Sequence, residues 1–159
     1  MPKCKEINKE VLNNITDDSL IFHMRQTHMA IFRLANKRID DYSIPIKMEQ
    51  MPVLISLYVY GDLTQQEIAE FIKRDKSSVH RTTTFLESKG LIFYKKDPTD
   101  SRKKLVSLSD TGNFVALQIV DSVKVIEDEI AKAITDAPKE ELIAVLKNAT
   151  EKLEEIANS

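Results

Sequence analysis

The residues of this chain that could do chemistry are short polar groups and cations gathered between positions 63 and 108. Lys76, Ser77, Ser78, His80 and Arg81 fall on one side of a segment whose other side carries Val79, Thr83 and Leu86. Further on, the run Lys95-Lys96-Asp97-Pro98-Thr99-Asp100-Ser101-Arg102-Lys103-Lys104 holds five cations and two acids, a local net charge of +3. Cations neutralise phosphates, and hydroxyls and imidazole exchange hydrogen bonds with base edges. The chemistry this set suits is recognition of duplex DNA. Nothing suits covalent catalysis. There is no Gly-rich phosphate loop, no Ser, His and Asp set in a motif context, and no Cys/His cluster with metal-ligand spacing. No catalytic residue, cofactor or metal is expected, and an enzyme would rest only on scattered Asp and His.

The elements that must position these residues are legible on either side of them. Thr64 with Glu67 three residues later is a capping box, followed by the apolar face Ile68, Ala69 and Ile72. Lys73-Arg74-Asp75-Lys76 is too polar for a core and predicts a turn, with Asp75 capping a second helix over 76–89. Gly90 suits the left-handed position that ends that helix. Leu91, Phe93, Val106 and Leu108 then give the period-two pattern of a half-buried hairpin around the basic loop. Helix, turn, helix and basic hairpin together describe a winged helix.

With these residues in order, the chain resembles the MarR family of bacterial and archaeal transcription regulators. The resemblance rests on residues 65–90, on Asp97-Pro98-Thr99-Asp100-Ser101-Arg102, and on Leu108-Ser109-Asp110-Thr111-Gly112, with Gln50, Val53, Leu54 and Leu57 matching the family's helix before the turn. It runs from about Ser19 to the C-terminus. It implies a homodimer that binds double-stranded DNA and leaves it when a small ligand binds or on oxidation. By the same resemblance Asp100 orients Arg102 through an ion pair at the wing tip, while Lys103 and Lys104 hold the DNA backbone. An effector would bind between dimer helices and winged domain, in a cleft to which His23, His28, Arg33 and Met51 are assigned. There are two departures: Lys73 stands where the family's turn carries Gly, and Arg74 where it carries an apolar residue. A left-handed Lys73 would cost about 1 kcal/mol, which argues for a differently shaped turn.

Length and composition agree with a helix-rich globular protein of 159 residues, 42% hydrophobic and 30% charged. No apolar run approaches the ~20 residues of a membrane span and no signal peptide is visible, so a cytoplasmic protein without membrane contact is expected. A single cysteine excludes an internal disulfide framework. The net charge of −2 argues against nucleic acid only until its distribution is read. Residues 1–60 carry eight bases and seven acids, 61–120 ten and eight, and 121–159 five and ten. The acids gather in the tail, and screening over about 8–10 Å lets the basic face act on its local charge rather than the global one.

The remaining chain reads as helices. Positions 1–15 are weakly amphipathic through Ile7, Val11 and Ile15, and too short to be stable alone. Ser19 opens a long helix over 19–41; a second runs over 48–60, with Pro52 tolerable near its first turn. Ser109 caps a helix of about 25 residues striped by Ala116, Ile119, Val123, Ile126, Ile130 and Ala133. After Pro138 a last helix carries Leu142, Val145, Leu146, Ala149, Leu153 and Ile156. These stripes, having no core of their own in view, are expected to pack on a second copy. The fold class expected is mainly α with a small β-hairpin wing: 1–45 N-terminal helices of the dimerisation region, 46–110 the DNA-binding winged helix-turn-helix, and 111–159 the C-terminal dimerisation helices. The methionines read as core filler, and His23 and His28, five apart, lack the spacing of a helical metal pair. Cys4 has nothing beside it that lowers its pKa, so no redox role is expected. The function expected is a sequence-specific repressor. The alternative is a protein-binding winged-helix adaptor or antirepressor without DNA binding, which would be expected to have lost Arg81 and Arg102; both are present.

Overall fold

The structure is a computed structural model and describes residues 17–100 and 102–159. The amphipathic segment over 1–15 and Cys4 lie outside the described residues. Six helices and one hairpin follow in chain order among those residues: α1 (Leu20–Asp41), α2 (Met51–Tyr60), α3 (Gln65–Phe71), α4 (Lys76–Ser88), β1 (Ile92–Lys96), β2 (Lys104–Leu108), α5 (Asp110–Ile134) and α6 (Lys139–Asn158). Local chemistry sets the helix starts. Ser19, Thr64, Asp75 and Ser109 each accept a backbone N–H of the first turn, and Thr64 with Glu67 forms the full capping box. Pro52 sits in the first turn of α2, where its missing N–H has no helical partner to lose. That helix starts at Met51 rather than 48, because residues 48–50 form a turn.

Three helices end alike, in Schellman motifs. After α4, Gly90 takes φ 68°, its N–H donates to Glu87, and the Leu91 N–H reaches back to the Leu86 carbonyl. Lys73 does the same after α3 at φ 51°, with Arg74 N–H on the Ala69 carbonyl, and Ser43 after α1 at φ 55°. The turn before α4 therefore keeps the left-handed residue the resemblance assigns to glycine. The expectation of a differently shaped turn is corrected: Lys73 accepts the strain, of order 1 kcal/mol.

The core gathers around α2, ten residues without a charge. Val53, Leu54 and Leu57 meet Ile68, Val79, Leu86, Leu91, Ile92 and Val106, all buried, and the cluster extends to Val115, Ala116 and Ile119 of α5. Each such side chain contributes about 1.5–3 kcal/mol of burial. This corrects the reading of the α5 stripe. Its first half packs inside its own chain, against α2 and the wing, because α5 leaves the hairpin directly over the apolar top of the winged domain. Ile126 and Ala131 are also buried, whereas Ala133 is exposed. Arg38 of α1 clamps α5 by two hydrogen bonds to Glu129, at 2.8 and 2.5 Å. Beyond that crossing, α6 buries none of its residues, and Val145, Leu146, Leu153 and Ile156 face outward.

In the hairpin, antiparallel pairing sets Ile92 against Leu108 and Tyr94 against Val106. Ile92 and Tyr94, not Leu91 and Phe93, are the inward residues of β1. Leu91 is buried, but as the residue closing the Schellman turn, so the alternation starts one position later and Phe93 points to solvent.

Candidate nucleic-acid interface

Helix α4 is held at its back and bare at its front. Val79, Thr82, Thr83 and Leu86 are buried, while Lys76, Ser77, His80, Arg81 and Thr84 are exposed and Ser78 is half-buried. Ser77, Arg81 and Thr84 step by four and three down the middle of the bare face. The flanks differ. Lys76 and His80 turn toward the wing; Ser78 and Arg81 line a smaller groove with Lys47, Gln50 and Arg74. Arg74 is fixed there by donating from Nη1 to the Glu49 carbonyl at 3.0 Å. The left-handed turn thus presents a second cation beside the helix.

The wing is built by its two aspartates. Asp97 Oδ1 accepts from Thr99 N–H at 2.7 Å, Thr99 hydroxyl at 2.6 Å and Asp100 N–H at 3.2 Å. The Thr99 hydroxyl and N–H hold its carboxyl below the ordinary carboxylate range. Asp100 Oδ1 in turn accepts the backbone N–H of Arg102 at 3.1 Å. Among the described residues no ion pair joins Asp100 to the Arg102 guanidinium, which corrects that part of the expectation. Asp100 shapes the backbone that carries Arg102, and the guanidinium is exposed. Lys103 and Lys104 line the same groove as Lys76 and His80, about 880 Å³ between α3, α4 and the hairpin. Among the described residues, Lys76, Arg81, Lys96, Arg102, Lys103 and Lys104 have no acidic partner within ion-pair distance.

Sequence reading missed further residues that line that groove: Gln65, Thr84, Glu87 and Tyr94. Gln65 opens α3 and its side-chain amide lies 2.8 Å from the Tyr94 hydroxyl, 2.9 Å from Thr83 Oγ1 and 3.3 Å from His80 Nδ1. The only signal was the position of Gln65 directly after a capping threonine, which aims its side chain across the end of the helix. On the other face of β1, Lys95 pairs with Asp62 at 2.5 Å and holds that carboxyl below its ordinary range.

The residues assigned to an effector cleft are not brought together. His23, His28 and Arg33 are exposed on successive sides of α1, and Met51 is buried in the core of the winged domain. His23 Nε2 meets the Asp17 carbonyl at 2.8 Å, and His28 packs on Phe32. No group of three or more His, Cys, Asp or Glu among the described residues is arranged to hold a metal. No helix there is long and apolar enough to cross a membrane.

Comparison with known proteins meets this geometry. Residues 46–104 match the model of the MarR family. The Bacillus subtilis HTH-type transcriptional regulator YwoH, itself uncharacterized, is 27% identical over 121 residues, covering 76% of this chain and 86% of its own. A mutant of Escherichia coli MarR, complexed with operator DNA, shares the fold at TM-score 0.72 and 24% identity, covering 90% of this chain and 97% of that one. Bordetella bronchiseptica BpsR, solved for the regulation of its DNA binding by 6-hydroxynicotinic acid, does so at TM-score 0.74 and 19% identity, covering 84% and 94%. The stretch that matches the MarR family model is the winged helix-turn-helix itself, and the solved regulators share the fold around it.

Proposed function

We propose that this chain is a sequence-specific repressor, a homodimer on double-stranded DNA that a small effector releases. The observation that carries it is the set of six exposed cations that have no acidic partner among the described residues, distributed over α4 and the wing. Paired α4 helices would enter successive major grooves, about 34 Å apart, with Lys76, Ser77, Ser78, His80 and Arg81 at base edges and phosphates. Arg102 would enter the flanking minor groove, whose negative potential favours a weakly hydrated guanidinium, with Asp100 shaping the loop and Lys103 and Lys104 on the backbone. The division into dimerisation helices before 46 and after 110 belongs to the same proposal. So does a small-molecule effector, by analogy with BpsR, which we place between those helices and the winged domain. The effector works through unequal affinity for the two spacings of α4. No catalytic step is assigned, since fold and relatives are those of transcription regulators. The place of work is the cytoplasm, where bacterial and archaeal chromosomes lie. The test is selection of a duplex from random DNA, followed by affinity measurement at several salt concentrations. Tight, salt-sensitive, sequence-dependent binding supports the reading. Absence of duplex binding even at low salt would leave the protein-binding adaptor.

A further inference from the structure

We propose that Gln65 is a positioning residue of the DNA interface, fixing the angle between wing and recognition helix through Tyr94 and Thr83. The inference rests on the DNA-binding reading and deepens it. A hairpin wing is useful only if its tip is held at a set distance from α4. The base of this one is fixed by Val106, which is buried and exchanges two backbone hydrogen bonds with Leu63. Toward the tip, Lys96, Lys103 and Lys104 are exposed. Tyr94, half-buried, lies on that same rung opposite Val106, where the exposed outer part of the wing begins.

There Gln65 makes the link. Its amide nitrogen has two hydrogens, which serve the two shorter contacts, Tyr94 at 2.8 Å and Thr83 at 2.9 Å. The hydroxyl proton of Thr83 is directed to the carbonyls of Val79 and His80, both at 3.0 Å, so Thr83 can only accept from Gln65. Tyr94, whose oxygen accepts from Gln65, keeps its own proton for the groove between α4 and the wing. A single side chain of α3 thus joins the buried flank of α4 to the wing and orients one donor toward the place where a phosphate would pass. The opposite face of β1 is held by Lys95 and Asp62, both about two-fifths exposed and so weakened by salt. The Gln65 link is uncharged and is not.

The experiment is a double-mutant cycle on the full-length protein with a selected duplex. Arg102→Ala is measured in wild type, in Gln65→Ala and in Tyr94→Phe, with hydroxyl-radical footprints of each complex. In wild type Arg102→Ala should lower affinity at least fivefold and erase protection of the flanking minor groove. In Gln65→Ala that protection should already be weak, and Arg102→Ala should add less than twofold. Tyr94→Phe, which removes one oxygen and keeps the ring in place, should fall between and decides the matter if Gln65→Ala fails to fold. An equal Arg102→Ala factor in all three backgrounds would overturn the positioning role. Wild-type protein that binds no duplex would instead overturn the DNA reading itself.

Discussion

Arg102 stands on the wing with its backbone tied to Asp100 and its guanidinium in solvent. An arginine so placed must lose rotamer freedom, about 2 kcal/mol, when DNA fixes it, because no carboxylate restrains it beforehand. Arg102→Ala should cost roughly 1–3 kcal/mol of affinity for a selected duplex with unfolding temperature unchanged, and Arg102→Lys should recover part of it. Asp100→Ala acts by another route, loosening the loop backbone, and should cost less. Asp97 gives the wing an acid limit. Its carboxyl is held below the ordinary value, so its ordering effect is complete above the unfolded pKa near 4 and is lost as pH falls through the lower folded value. The protection of the Thr99 and Asp100 amides, their exchange rate relative to an unstructured chain at the same pH, should therefore hold down to about pH 4 and fall below it; no protection at neutral pH would count against the turn. The Asp-x-x-Asp-x-Arg spacing was readable in the sequence, but the partners were not. A carboxylate two residues before an arginine can serve backbone or guanidinium, and only the φ/ψ path of the loop decides which.

At the scale of elements, the junction between α4 and α5 links the reading helix to the rest of the chain. Ser109 caps α5, donates its hydroxyl to the Gly90 carbonyl at 2.6 Å, and its own N–H reaches the Leu91 carbonyl at 3.0 Å. Gly112 completes the contact, since a Cβ there would lie 1.9 Å from the Leu91 oxygen. Gly112→Ala should thus destabilise by several kcal/mol and separate α5 from α4, measurable as a drop in unfolding midpoint larger than that of Gly90→Ala, which meets no atom and carries only about 1 kcal/mol of backbone strain. Helix starts and stops were legible because caps are local: Ser19, Thr64, Asp75, Gly90 and Ser109 all act within five residues of their own position. The inward register of β1 was not, since Leu91 is buried by the preceding helix rather than by the strand. Nor was the Gln65–Tyr94 contact, 29 residues apart in sequence. The stripe on α5 was legible as apolar, yet its partner depended on where the hairpin aimed the helix.

For the whole molecule, charge and apolar surface are divided between two segments of the chain. The winged half carries the exposed cations and residues 121–159 carry ten acids against five bases; the two segments meet where Lys73, in the turn before α4, pairs with Glu154 of α6 at 3.0 Å. Replacing Lys103 and Lys104 together with Ala should flatten the dependence of log affinity on log salt, each lost phosphate contact being worth about 0.9 in slope, with base preference kept. A slope equal to wild type would take both lysines off the DNA. Sedimentation at micromolar concentration should give about twice the 18.2 kDa chain mass, because α6 exposes Val145, Leu146, Leu153 and Ile156. The bareness of that last helix has a further consequence for supply. A 20-residue helix with no buried residue is marginal by itself, so subunits that separate do not simply drift apart as folded halves. If α6 is the dimer seam, their tails would melt, and the strength of the protein would become a function of how much of it there is. Limited proteolysis on serial dilution should nick first beyond Pro138, at concentrations where the remainder still resists. Scarce copies would then be cleared as peptides while abundant ones endure, and the amount of regulator would acquire a floor below which it does not merely act weakly but disappears.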